Sequence, residues 1–187
     1  MKVSGHPTRT IWPSADGLAV EIIDQTQLPP VFVTARLATL DEAAHAIRAS
    51  LVRWAPLIGA TAAWGLWLAL RADPSDAALT QAHATLLATR PTAVNLRWAL
   101  DRVRAHVAPL VPSYRADATR QLAIGICDED VALNRAIGAA ALQPPPESDP
   151  LENRVSFQEL CLSIINLEAR ADKNPQQNGW VGSNGRP

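Results

Sequence analysis

Apolar positions recur with two different periods along this chain, and the change of period divides it. Thr8 to Trp12 and Leu18 to Ile23 are short β-prone runs on either side of Pro13-Ser14-Ala15-Asp16-Gly17. The Asp-Gly pair suits a tight turn, so a hairpin is predicted. Pro29 and Pro30 interrupt the chain, and Val31 to Arg36 is expected to add a third strand. From Thr39 the period becomes helical. Thr39-Leu40-Asp41-Glu42 has the form of a capping box, and Leu40, Ala43, Ala44, Ile47 and Leu51 follow at helical spacing. Further helices are predicted over Pro56 to Arg71, Asp76 to Ala88, Thr92 to Val107 and Ala116 to about Ala141, separated by Pro or Asp-Pro. The fold class is therefore α+β and mostly α, with short N-terminal antiparallel strands followed by a helical bundle.

The pattern breaks at Gln143-Pro144-Pro145-Pro146, which cannot continue a helix. Residues 1–142 are expected to form one domain, 143–155 a proline-rich linker, and 156–187 a separate tail. In that tail Ser156-Phe157-Gln158-Glu159 is a second capping box. Phe157, Leu160, Cys161, Ile164 and Ile165 make an apolar stripe, and the glycine-rich ending is expected to be disordered.

Composition narrows the function classes. Seventeen basic and eighteen acidic side chains leave a formal net charge of -1, so no bulk field draws the chain to nucleic acid or to anionic lipid. An anion would have to be caught locally. The longest uncharged apolar run, Ala55 to Leu70, is shorter than the roughly 20 residues of a bilayer crossing and is expected to be a buried helix. Cys127 and Cys161 show no paired spacing, and the first residues have no secretory pattern. The cytoplasm is the expected compartment.

The order TIW, EIIDQTQLP, VRWAPLIGATAAWG, ATRPTAVNLRWALDR and DEDVALNRAIG resembles the N-terminal part of the methylthioribose-1-phosphate isomerase family. That family's fold is shared with regulatory subunits of translation initiation factor 2B. The resemblance covers about Thr10 to Gly138. It implies an aldose-to-ketose isomerase of methionine salvage and amino-acid biosynthesis, acting on 5-methylthioribose 1-phosphate without a cofactor. In the family an Arg-Gly-Ala segment contacts the substrate phosphate and sugar. That role carries over to Arg53 and Ala55, with Trp54 between them, and a second substrate-binding role to Arg90.

The residues agree with this reading on their own terms. Pro56 suits the first position of a helix, and the free amides and positive dipole end of a helix attract phosphate. Arg53 just before it and Arg90 just before the predicted start at Thr92 would make an anion clamp. The competing reading of each is a solvated arginine near a helix terminus.

The chain departs from the family at two places. Trp54 stands where the family has glycine, and the family's Thr-His-Cys-Asn-Ala-Gly segment does not occur. No catalytic residue is assigned, and the family's C-terminal Rossmann-like domain is expected to be absent. The chain is expected to be truncated and not to turn over substrate alone. The alternative is a non-catalytic binding or regulatory module of the initiation-factor-like superfamily. An apolar face left uncovered would favour a homodimer.

The remaining candidates read as structural. Glu21 and Asp24, and the run Asp128-Glu129-Asp130, are expected to be solvated charges, and the four scattered histidines form no metal-binding set. Trp64, Trp67 and Trp98 are expected in the core, Cys127 in packing or at the surface, and Cys161 in packing.

Overall fold

A computed structural model of the chain describes residues 2, 3 and 6–141, with side chains from Thr8 onward. The expected linker 143–155 and the tail 156–187 with Cys161 lie outside the described residues. Strands β1 (Lys2–Val3) and β2 (His6–Pro7) pair antiparallel. Strands β3 (Ile11–Pro13), β4 (Val20–Ile23) and β5 (Thr34–Leu37) form an antiparallel sheet in that order. The predicted hairpin is β3–β4, with Ile11 opposite Ile22 and Pro13 opposite Val20. Its loop is longer than two residues. Gly17 takes a φ of 69°, and the Ser14 hydroxyl accepts from the Ala19 amide while donating to the Asp16 carboxylate. The third strand begins at Thr34 rather than Val31, because the Val31 amide is turned back to the Gln27 carbonyl.

Five helices follow: α1 (Leu40–Arg48), α2 (Ala55–Ala72), α3 (Asp76–Leu87), α4 (Val94–Val107) and α5 (Pro112–Ala141). The Thr39 capping box is formed on both sides: the Thr39 hydroxyl accepts from the Glu42 amide, and the Glu42 carboxylate accepts from the Thr39 amide. Helix α2 is the centre. It is apolar all round and buried from Leu57 to Leu68, packed against α4, α1 and α3. Trp64 and Trp67 lie in that core edge to face, 5.3 Å between centroids, as expected of them. Among the described residues no helix is long and apolar enough to cross a membrane.

Two expectations need correction. Helix α5 begins at Pro112, not Ala116, because Arg115 in its first turn is buried and anchored. Its guanidinium donates to the carbonyls of Leu110, Pro74 and Ala108 and pairs with Asp76 at 2.7 Å, tying α5 to the start of α3. Trp98 is not in the core but 48% exposed. The buried face of α4 is Leu96, Ala99, Leu100, Val103 and Val107, and Trp98 falls off it, covered instead by the Arg102 guanidinium 5.2 Å from its ring. The compact unit ends at Leu133. From Asn134 the last turns of α5 belong to a second unit.

Candidate functional site

The four helix starts from α1 to α4 are of two kinds. Thr39 and Ser75 cap α1 and α3 with side-chain oxygens that accept first-turn amides. Helices α2 and α4 have Trp54 and Ala93 at the capping position, and neither makes a side-chain cap bond. Their first-turn amides, Ala55 and Leu57 in α2 and Val94, Asn95 and Leu96 in α4, have no earlier carbonyl within the helix to bond. Pro56 occupies the second position of α2 rather than the first, still within the turn where its missing N–H removes nothing.

The two uncapped starts lie against each other. A Cβ on Gly59 would meet the Asn95 carbonyl oxygen at 2.8 Å, a separation no side chain tolerates, so glycine is what lets the second turn of α2 touch the first turn of α4. The start of α4 is thereby set against α2 about one turn in from its own start.

The segment before α2 is set by the way α1 stops. The Leu51 amide bonds to the Ala46 carbonyl at 2.9 Å and the Ser50 amide to Ile47 at 3.3 Å, the double bond of a Schellman turn. Ser50 is the left-handed residue of that turn, with a φ of 62°. Arg53, two residues before the helix, donates its backbone amide to the Gln25 side chain at 2.6 Å and its Nε to the Ser50 carbonyl at 3.3 Å. The Gln25 amide in turn bonds to the Leu51 carbonyl, so the loop after β4 and the loop after α1 hold each other.

Arg90 reaches the same residue from the other side. It sits in the turn before α4, where the Ala93 amide bonds to its carbonyl, and its Nη2 donates to the Ser50 hydroxyl at 2.8 Å. The two predicted arginines thus meet at Ser50. Arg53 is exposed and Arg90 half-buried, and among the described residues neither pairs with a carboxylate. Arg9, Arg36, Arg102 and Arg115 do, with Asp128, Asp16, Glu129 and Asp76. The rim carries exposed apolar side chains: Trp54 is 63% and Val94 78% exposed. Ala55 is exposed at the first position of α2.

What this arrangement can do chemically is attract an anion. Two guanidinium groups held by neutral oxygens keep their full charge available, beside free amides that suit a phosphoryl group. Among the described residues no carboxylate, imidazole or thiol hydrogen-bonds to Arg53, Arg90 or Ser50.

The other sequence candidates are engaged elsewhere. Glu21 accepts from the Trp12 indole, Asp24 from the Thr26 amide and hydroxyl, and His83 pairs with Asp101 at 2.9 Å. Glu129 is held below its ordinary pKa by the Arg102 hydrogen bonds, and Asp16 well below the usual carboxylate range, first by the Ser14 hydroxyl, then the Leu18 amide and Arg36. Burial pushes the Cys127 thiol up, away from the thiolate a nucleophile needs. Among the described residues no three metal-binding side chains cluster. An open apolar groove of about 320 Å³ lies between α1, α2 and α3, lined by Thr39, Leu40, Leu68 and Ala82 among others. Leu68 is about 20 Å along α2 from its start, so the groove is separate from the arginine pair.

No protein-family model matches the chain. It is 62% identical over 138 residues, 74% of its length, to an uncharacterized protein from the petC 3' region of Rhodospirillum rubrum, of which those residues are 75%. It is equally 62% identical over 138 residues to a methylthioribose-1-phosphate isomerase of Rhodospirillum rubrum, covering 35% of that protein. Over this stretch the chain belongs to the methylthioribose-1-phosphate isomerase family. It spans between 35% and 40% of the curated isomerases it matches. Two solved structures share its fold. 5-Methylthioribose 1-phosphate isomerase from Pyrococcus horikoshii aligns with a TM-score of 0.60 and 35% identity over 66% of this chain and 36% of its own. Subunit delta of translation initiation factor eIF-2B from A. fulgidus aligns with a TM-score of 0.61 and 29% identity, covering 67% of this chain and 38% of its own. The α+β, mostly helical architecture expected from the sequence is the one observed, and it matches the fold of these two structures over about two thirds of the chain.

Ser50 and Gln25 were not legible as site residues. Gln25 lies in the EIIDQTQLP motif, but nothing local marks its side chain as the acceptor for Arg53. Serine is not a usual left-handed residue, so the turn at Ser50 carries no sequence signal.

Proposed function

We propose that this domain grips the phosphate of 5-methylthioribose 1-phosphate, as the N-terminal part of an isomerase that converts it to the ribulose 1-phosphate in methionine salvage. The observation that carries the reading is the meeting of Arg53 and Arg90 at Ser50, beside two uncapped helix starts. Arg53 and Arg90 bind the phosphoryl oxygens, the Ala55 amide completes the seat, and the Trp54 ring closes over it. The protein acts in the cytoplasm and forms a homodimer, a point that sedimentation over a concentration range tests directly.

The test is a calorimetric titration of the full chain with the phosphosugar. Wild type binds, Arg53→Ala does not at the same concentrations, and Trp54→Gly binds more tightly by opening the seat to the sugar. Binding left unchanged by Arg53→Ala would refute the assignment.

A second reading is favoured by the lack, among the described residues, of any proton-transferring group beside the arginines. In it the domain is a non-catalytic module that senses a phosphorylated ligand. Isomerase turnover by the purified chain would exclude this reading, and binding without turnover would support it.

A further inference from the structure

We propose that Ser50 is the positioning residue of the anion site, setting the spacing of the two guanidinium groups through one left-handed turn. The inference rests on the phosphate-binding reading above and adds to it a residue that the resemblance does not assign.

Ser50 has two separate connections. Its carbonyl oxygen receives Arg53 Nε and its hydroxyl oxygen receives Arg90 Nη2. The Arg53 tether depends on the direction of the Ser50 peptide, which the Schellman turn sets. The Arg90 tether depends on the side chain itself. Glycine would occupy a φ of 62° at no steric cost, whereas serine holds the same conformation at a penalty. What serine adds at this position is the oxygen that Arg90 uses. Arg90 comes from forty residues further along the chain and, among the described residues, its guanidinium makes no other hydrogen bond that would direct it. Without the hydroxyl the long side chain is free to swing out, and the phosphate must then order it on binding.

This assignment makes an unusual prediction, because fold stability and ligand affinity should move in opposite directions. Ser50→Gly relieves the left-handed backbone, so thermal stability is equal to or higher than wild type. It also removes the Arg90 tether, so affinity for inorganic phosphate or the phosphosugar falls by about fivefold, the worth of one hydrogen bond. Ser50→Asn, which tolerates positive φ and supplies a carbonyl acceptor, restores the affinity. In an Arg90→Ala background Ser50→Gly has no further effect on binding, because the side chain it served is gone.

The measurements are titration calorimetry and thermal melting on the full chain, with inorganic phosphate and 5-methylthioribose 1-phosphate as probes. Wild-type affinity in Ser50→Gly, or a Ser50→Gly loss that persists in full in the Arg90→Ala background, overturns the positioning role while leaving the arginine site intact. A wild-type chain that binds neither probe removes the site reading itself, and the inference falls with it.

Discussion

Helices α1 and α3 carry their own acceptors at their starts, in Thr39 and Ser75, whereas α2 and α4 have a tryptophan and an alanine at the capping position. The capped pair is complete without any ligand. The uncapped pair is left with free amides, is pressed together at Gly59 and Asn95, and is flanked by the two arginines that meet at Ser50. A helix cap and a bound anion satisfy the same donors, which is why the proposed phosphate seat falls at the starts that lack a cap.

The comparison breaks most completely at the charges. Arg53→Ala and Arg90→Ala should each weaken phosphate binding by about thirtyfold, the range of a charge-assisted hydrogen bond, with melting temperatures near wild type. Equal losses from Arg97→Ala or Arg104→Ala, exposed on α4, would show only a diffuse field.

Separating the two uncapped starts is the next largest disturbance. Gly59→Ala forces the Asn95 carbonyl away and should destabilise the fold by about 2 kcal/mol in spite of alanine's better helix propensity. Chemical denaturation measures it. A fold as stable as wild type would mean that α2 and the start of α4 do not need their close approach.

The caps themselves give a reciprocal pair of smaller effects. Thr39→Ala should cost about 1 kcal/mol of stability and leave phosphate affinity unchanged. Trp54→Asp supplies α2 with the cap it lacks, so stability should rise by about 0.5 kcal/mol while the carboxylate occupies the anion seat and abolishes phosphate binding. Phosphate binding that survives Trp54→Asp would separate the α2 start from the site.

The smallest effect lies away from both starts. The folded state holds Glu129 below its ordinary pKa through Arg102. Its contribution is therefore present above the unfolded-state glutamate pKa and is lost as pH falls through the lowered folded value. Glu129→Gln should cost less than about 1 kcal/mol at neutral pH, as for an exposed pair, and the difference from wild type should vanish in acid. A difference that grows on acidification would contradict the sign.

The parts of this account that were readable from sequence are those decided by neighbours in the chain. The Thr39–Glu42 box needs four consecutive residues, and the Asp-Gly hairpin needs one turn. The buried nature of α2 follows from its unbroken apolar run. The two arginines could be named because each stands just before a helix start, and because the surrounding motifs resemble a family. What joins them could not be read. Ser50 lies forty residues from Arg90, and Gln25 twenty-eight from Arg53. Likewise the 2.8 Å approach at Gly59 depends on how α2 meets α4, and the depth of Arg115 on where three separate carbonyls converge. The exposure of Trp98 is a matter of helix phase, one position off the buried stripe at Ala99.

The central claim is that a phosphoryl group is held where the two uncapped starts meet. Amide chemical shifts recorded while inorganic phosphate is titrated into the chain test it most directly. The account predicts that the amides of Ala55, Leu57, Val94 and Asn95 shift together and saturate with one dissociation constant, while those of Glu42 and Ala78, already bonded to Thr39 and Ser75, stay still. Shifts spread over the surface without saturating, or confined to residues away from Arg53 and Arg90, would contradict it.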